Sequence, residues 1–194
     1  MSDNHSMKHH TVVVNLVAGP GAGKTTCAWE IAAELKKAGL VVEYVPEVAK
    51  EYIWEGRTDL VDGTLEHQKE LYEKQNHRVQ CLMGKVDVVV TDSPIILGLV
   101  YLKEPNQDFE KEVMAQFKSQ KNFTLFVQRG ATFEKEGRIH SQEQSAQLDR
   151  DILNLLDQNE IYYGKYSYDR MKLCVQNIQT TVRKQRQKHQ IPDR

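Results

Sequence analysis

The stretch AGPGAGKTT, positions 18–26, constrains this chain more than any other. A β-branched apolar run, VVVNLV, precedes it and CAWEIAAELKKAG follows. Glycines spaced this way let the backbone curl so that successive N–H groups converge, and the following helix aims its positive end at the same point. A strand, such a turn and a helix together make a phosphate-binding loop, G-x-x-x-x-G-K-[ST]. Ala18 stands at its first position, Gly19, Pro20, Gly21 and Ala22 form the turn, and Gly23, Lys24 and Thr25 close it, followed by Thr26. Lys24 is expected to reach the β- and γ-phosphates of ATP, and the Thr25 hydroxyl to bind Mg²⁺.

The periodicity along the chain alternates between two types. Strands are expected at Thr11–Val17, Leu40–Val45, Val86–Thr91, Phe123–Gln128 and Met171–Val175. Helices are expected at Lys24–Ala38, Glu47–Trp54, Thr64–Met83, Pro94–Tyr101, Phe109–Phe117 and Gln142–Leu156, with a basic helix ending the chain. This order predicts an α/β fold: a three-layer α/β/α sandwich around a five-stranded parallel sheet. Right-handed crossovers then put the phosphate loop at the carboxyl edge of the sheet, where ligands gather.

At 194 residues the chain suits one domain, spanning 11–194, after a polar start at 1–10 expected to be disordered. A net charge of −1 gives no global attraction to nucleic acid or membrane, and no apolar run reaches the roughly 18 residues of a membrane span. Three scattered cysteines, Cys27, Cys81 and Cys174, fit a reducing compartment, so a cytoplasmic protein is expected. A homodimer is left open.

The loop's partner should be an acidic residue ending a neighbouring strand. VDVVVTD supplies Asp92, placed to hold Mg²⁺, whereas Asp87 enters the same strand from the opposite end and is expected at the surface. The guanine-reading N-K-x-D, the switch D-x-x-G and the transporter L-S-G-G-Q are absent, and the length leaves little room for the helical second domain of a ring-forming ATPase. A compact phosphotransferase remains, with a non-catalytic nucleotide-binding regulator as the reading of another class. A phosphotransferase needs an acceptor site, an orienting carboxylate, charge-stabilising arginines and a lid. Glu47, after the second strand in YVPEVAKEY, is placed to take the acceptor's proton. Arg129 closes the fourth strand, and Arg138 lies in the glycine-interrupted loop EKEGRIH, a lid at about 130–141. On the helix HQKELYEKQNHR, Gln68, Leu71, Tyr72, Gln75 and Arg78 share a face, and Tyr52, Trp54 and Arg57 in EYIWEGR offer a facing wall. A glutamine amide matches the donor and acceptor edge of uracil or thymine, and Tyr72 is suited to pack on a base.

AGPGAGKTT, PEVAKEYIWEGR, VVVTDSP and the EGR loop together resemble phage P-loop kinases similar to the thymidylate kinase and deoxynucleoside kinase group, over Thr11 to about Val175. The resemblance implies ATP with Mg²⁺, a lid, Glu47 as the carboxylate after strand two, and Gln75 as a base-reading glutamine. It is strongest to phage kinases of 5-hydroxymethyluracil in DNA, which implies DNA modification in a host cytoplasm. A small nucleoside or nucleotide is the alternative acceptor. The Asp-Arg motif of thymidylate kinases is half matched, since Ser93 follows Asp92. The basic C-terminal residues Arg170, Lys172, Arg183, Lys184, Arg186 and Lys188 suit a DNA backbone.

Overall fold

Short β-branched runs make the strands of this protein, whose computed structural model describes residues 10–129 and 142–188. The expectations of a disordered start and of a lid carrying Arg138 concern residues 1–9 and 130–141, outside the described residues. β1 (Val12–Val17) is buried along its whole length, as a central parallel strand must be. α1 (Lys24–Lys37) buries Cys27, Ala28, Ile31, Ala32 and Leu35, a stripe at helical spacing. Then follow β2 (Val42–Val45), α2 (Val48–Trp54), a 3₁₀ turn (Thr58–Val61), α3 (Leu65–Gln80), β3 (Val88–Thr91), α4 (Leu97–Val100), α5 (Gln107–Lys118), β4 (Lys121–Val127), α6 (Gln142–Gln158), β5 (Tyr163–Tyr166), a second 3₁₀ turn (Tyr168–Arg170) and α7 (Met171–Lys188). Asn106 starts α5 by accepting the Phe109 N–H at 2.9 Å through its side chain.

The five strands are all parallel, in the order β2-β3-β1-β4-β5. The chain therefore winds outward on one side of β1 and then on the other, and the carboxyl end of β1 is the switch point. Alternation along β1 divides the core. Val12, Val14 and Leu16 face α1 and α7, while Val13 and Val17 face the layer containing α3, α5 and α6. No described helix is long and apolar enough to cross a membrane.

Two sequence expectations are corrected. The fifth strand is Tyr163–Tyr166, not Met171–Val175. MKLCV reads as an alternating strand only if cut short. Continued, its buried residues are Cys174, Val175, Ile178 and Val182, a helical stripe, and Leu173 is exposed. The real strand, YGKY, lies at the sheet edge, where polar residues are tolerated and the apolar signal is weak.

Asp87 is not a surface residue. It is 2% exposed; Oδ2 accepts the Val41 N–H at 2.9 Å and Oδ1 accepts from Arg186 Nη2 at 2.5 Å. The carboxylate thus fastens α7 to the amino edge of the sheet, and Arg186 belongs to the fold as well as to the basic C-terminal surface. Asp87→Ala is expected to lower stability by about 2 kcal/mol by orphaning these donors. Urea unfolding checks this, and an unchanged midpoint would contradict the assignment.

Candidate active site

The phosphate loop takes its shape from residues that tolerate unusual backbone angles. Gly21 (φ 78°) and Gly23 (φ 88°) sit in the left-handed region, and Gly23 is the N-cap of α1 without any side-chain cap. The first amides of α1 are thus left for an anion. Among described non-glycine residues only Glu160 has positive φ, so Ala18 occupies ordinary backbone space. Fully buried, Ala18 fills the place of the first glycine without strain. The Lys24 ammonium donates to the Ala18 carbonyl at 2.8 Å and the Gly19 carbonyl at 3.3 Å, spanning the loop from the helix side. Thr26 is exposed on the first turn of α1.

Behind Lys24, the Thr25 hydroxyl donates to Asp92 Oδ2 at 2.5 Å. Asp92 is 1% exposed and its Oδ1 has no hydrogen-bond partner among the described residues. A buried carboxylate oxygen is costly to leave unmatched. Here an unused acceptor sits beside a hydroxyl whose proton is already committed, an arrangement that suits a hard divalent cation. Tyr44 of β2 lies against the same group. Burial, and then the Asp92 carboxylate, push its pKa up; Glu47 adds to the rise and a hydrogen bond with Thr25 opposes it.

Glu47 is the N-cap residue of α2 but makes no side-chain capping bond. Instead it lines a cavity of about 380 Å³ together with Pro20, Lys24, Thr25, Tyr72 and Gln75. These six come together as the sequence suggested. The Tyr72 ring is held edge-on by Phe109, with centroids 5.6 Å apart. Gln75 is engaged at both ends: Oε1 accepts the Val48 N–H at 3.1 Å and Nε2 donates to Thr91 Oγ1 at 3.4 Å. The amide holds the start of α2, and so Glu47, against the end of β3. A base-reading role for Gln75 would have to use the second N–H and the second lone pair of an amide already engaged at both ends.

Tyr52, Arg57 and Arg78 do not line this cavity. They brace α2 against α3. Arg78 grips Glu51 through two bonds, at 2.8 and 2.7 Å, and that hydrogen bonding holds the Glu51 pKa below its usual range. The Tyr52 hydroxyl donates to Glu70 at 2.8 Å, and Arg57 and Lys74 each lie 4.9 Å from its ring centre. Trp54 points outward, 66% exposed.

Arg129 faces the outside of the phosphate loop. Its Nη1 donates to the Pro20 carbonyl at 2.8 Å, and its Nε and Nη2 donate to Asp149 Oδ2 at 3.1 and 2.8 Å. Asp149, on α6, accepts the Gly19 N–H at 2.6 Å with its other oxygen. The loop is therefore clamped from β4 and α6. No local pattern marks Asp149, which lies 130 residues from its loop partner. Tyr44 had a weak signal, since strand alternation aims it at α1 along with Val42.

These features define a P-loop nucleotide-binding domain. The chain belongs to the family described as AAA domain, which matches residues 13–169. No curated protein matches. Among solved structures, Chaetomium thermophilum Kti12 in complex with ADP-AlF3 is similar, with 14% identity, TM-score 0.52, and 89% of this chain and 96% of that one covered. The Mycobacterium tuberculosis APS kinase CysC Cys556Ala mutant (16%, TM-score 0.38, 77% and 99% covered) and APE1195 (17%, TM-score 0.46, 90% and 96% covered) are more distant in shape. At these identities the likeness to Kti12 concerns the fold.

A Cβ on Gly19 would lie 2.3 Å from the Ser145 carbonyl oxygen, which is backbone and cannot swing away. Gly19→Ala should therefore spring the clamp and weaken ADP binding about tenfold or more. Calorimetric titration checks this, and wild-type affinity in a folded variant would contradict the clamp.

Proposed function

We propose that this chain transfers the γ-phosphoryl group of ATP to an alcohol. The observation that carries this reading is one cavity lined at once by the phosphate-loop residues Lys24 and Thr25 and by the carboxylate of Glu47. A regulator that only bound nucleotide would have no use for an acceptor-sized space, about 380 Å³, opening off its phosphate loop.

The chemistry follows from these residues. The loop amides and Lys24 hold the β- and γ-phosphates and balance their charge. Thr25 and the open oxygen of Asp92 would hold Mg²⁺, which supplies further charge neutralisation when bound. Glu47 accepts the proton of the acceptor hydroxyl as its oxygen bonds to the γ-phosphorus. The bond from that phosphorus to the β–γ bridging oxygen breaks, and ADP leaves. Arg129 acts on this step by fixing the loop. Arg138 is proposed to meet the transferred phosphoryl group.

The acceptor we favour is the hydroxymethyl group of 5-hydroxymethyluracil in phage DNA. The combined motifs AGPGAGKTT, PEVAKEYIWEGR and VVVTDSP support it, as does the basic C-terminal surface. A free nucleoside is the second reading, favoured by the cavity's small-molecule size. A nucleoside monophosphate is less favoured, because Arg57 and Arg78, the arginines closest in sequence to this site, are committed to Tyr52 and Glu51.

Incubation with γ-labelled ATP, Mg²⁺ and single-stranded DNA containing 5-hydroxymethyluracil is expected to label the DNA at internal positions, with matched thymine DNA unlabelled. Label entering only free nucleosides would move the acceptor and keep the chemistry. Lys24→Ala is expected to remove most transfer. Glu47→Gln is expected to lower kcat about 10²- to 10⁴-fold while the KM for ATP stays within a few-fold. A Glu47→Gln variant with normal kcat would remove the acceptor base.

A further inference from the structure

The acceptor cavity lies beside the segments that follow β2 and β3. At the opposite border of the sheet, between α7 and the strands β4 and β5, runs a second hollow of about 970 Å³. Leu173, Asn177, Thr181 and Lys184 line it from α7, at the spacing of one helix face, while Cys174, Val175, Ile178 and Val182 of the same helix turn into the core. From Leu173 to Lys184 the helix runs roughly 17 Å, the length of about five stacked nucleotides. Phe123, Leu125 and Gly164 line the groove from the sheet.

The charge of the groove departs from that of the chain. Five cations line it, Lys118, Lys121, Lys165, Arg170 and Lys184, against Glu160, the one acid among the described lining residues. The whole chain carries a net charge of −1, so composition does not account for this excess. All five cations are exposed, and none forms an ion pair with a described residue. Elsewhere Lys36, Lys37, Lys74 and Lys111 each hold a neighbouring carboxylate.

Two further features point to an occupant with flat groups as well as charge. Tyr162, at the head of β5, lines the groove and is 92% exposed, more than any other large apolar side chain among the described residues. Gly164 follows it in the strand, in register with Leu125. A Cβ there would meet only Leu125 Cδ2, at 3.5 Å, an ordinary contact, and its φ is not positive. The fold itself does not ask for glycine at this place. Inside a strand such a glycine often marks close approach from outside. A row of cations with an exposed ring suits a strand whose phosphates are evenly spaced and whose bases are unstacked. A duplex offers the ring no free base face, and an acidic peptide leaves the ring idle.

We propose that this groove binds single-stranded nucleic acid, with phosphates along Lys121, Lys165, Arg170 and Lys184 and a base stacked on Tyr162. It is a holding surface, separate from the acceptor cavity, and it stands whichever alcohol is phosphorylated.

The test is fluorescence anisotropy of the full chain with a labelled oligothymidylate of about 12 nucleotides, without ATP. The logarithm of the affinity is expected to fall against the logarithm of salt with a slope of about −3, the release expected for about four neutralised phosphates. Lys121→Gln with Lys184→Gln is expected to weaken binding and flatten that slope by about 1.4. Lys69→Gln with Lys85→Gln, which removes the same charge from exposed positions on α3 and before β3, is expected to change neither. Tyr162→Ala is expected to lower affinity at least about fivefold with the slope unchanged, and Tyr162→Phe to keep it. No binding at about 50 mM salt, an equal effect of the two lysine pairs, or an inert Tyr162→Ala would each overturn the proposal. So would duplex DNA binding as tightly as the single strand, or poly-glutamate displacing the probe as well as unlabelled oligothymidylate does. Because neither ATP nor an acceptor alcohol is present, none of these results bears on phosphoryl transfer, and failed transfer would leave the groove assignment standing.

Discussion

The hydrogen bond from Thr25 to Asp92 joins the first turn of α1 to the end of β3, and the rest of the site is arranged around it. β1 and β3 are parallel neighbours in register from Val12–Val88 to Asn15–Thr91, so the segments that follow them emerge at the same edge. β2 pairs with β3 on its other side and ends at Val45, so Glu47 emerges there too. Three adjacent strands each deliver one component: β1 the phosphate loop, β3 the acidic partner, β2 the carboxylate beside the cavity. Parallel pairing concentrates all of them at one edge, and burial makes the Thr25–Asp92 contact strong by excluding competing water.

The other half of the sheet has a different task. β4 and α6 supply Arg129 and Asp149, which hold the outer side of the loop through Pro20 and Gly19. Between them and the bond from Lys24 to the Ala18 carbonyl, the loop is held in shape from both sides. Preorganised amides cost nothing to arrange when phosphate arrives, which is how such sites achieve charge stabilisation. The interlock of Gln75 with Val48 and Thr91 does the same for Glu47: an amide from α3 fixes the helix start that carries the carboxylate.

The fold was legible where periodicity ran long. β1, α1, α3 and the parallel order came from apolar spacing, and the phosphate loop from its glycines. The edge strand escaped, because YGKY at a sheet border needs little apolar character, and because the MKLCV segment mimics a strand until Ile178 and Val182 extend its helical stripe. In the site, Lys24, Thr25 and Asp92 were legible because each is fixed by local chain geometry. Arg57 and Arg78 were not: Arg78, on α3, is captured by Glu51 of the neighbouring helix α2, and Arg57, in the turn after α2, folds back over the Tyr52 ring. Which of two glutamines is free could not be read either. Gln68 and Gln75 lie seven residues apart on one face, and only the position of the α2 start decides that Gln75 is the one engaged.

The most direct test of the central claim follows the γ-phosphorus itself. Phosphorus NMR on the full chain with ATP and Mg²⁺, with and without an alcohol acceptor, reports where that atom goes. The account predicts a new phosphomonoester resonance that grows with ADP only when the acceptor is present, with little inorganic phosphate in its absence. Inorganic phosphate released at the same rate whatever alcohol is supplied would identify a hydrolase and contradict the account.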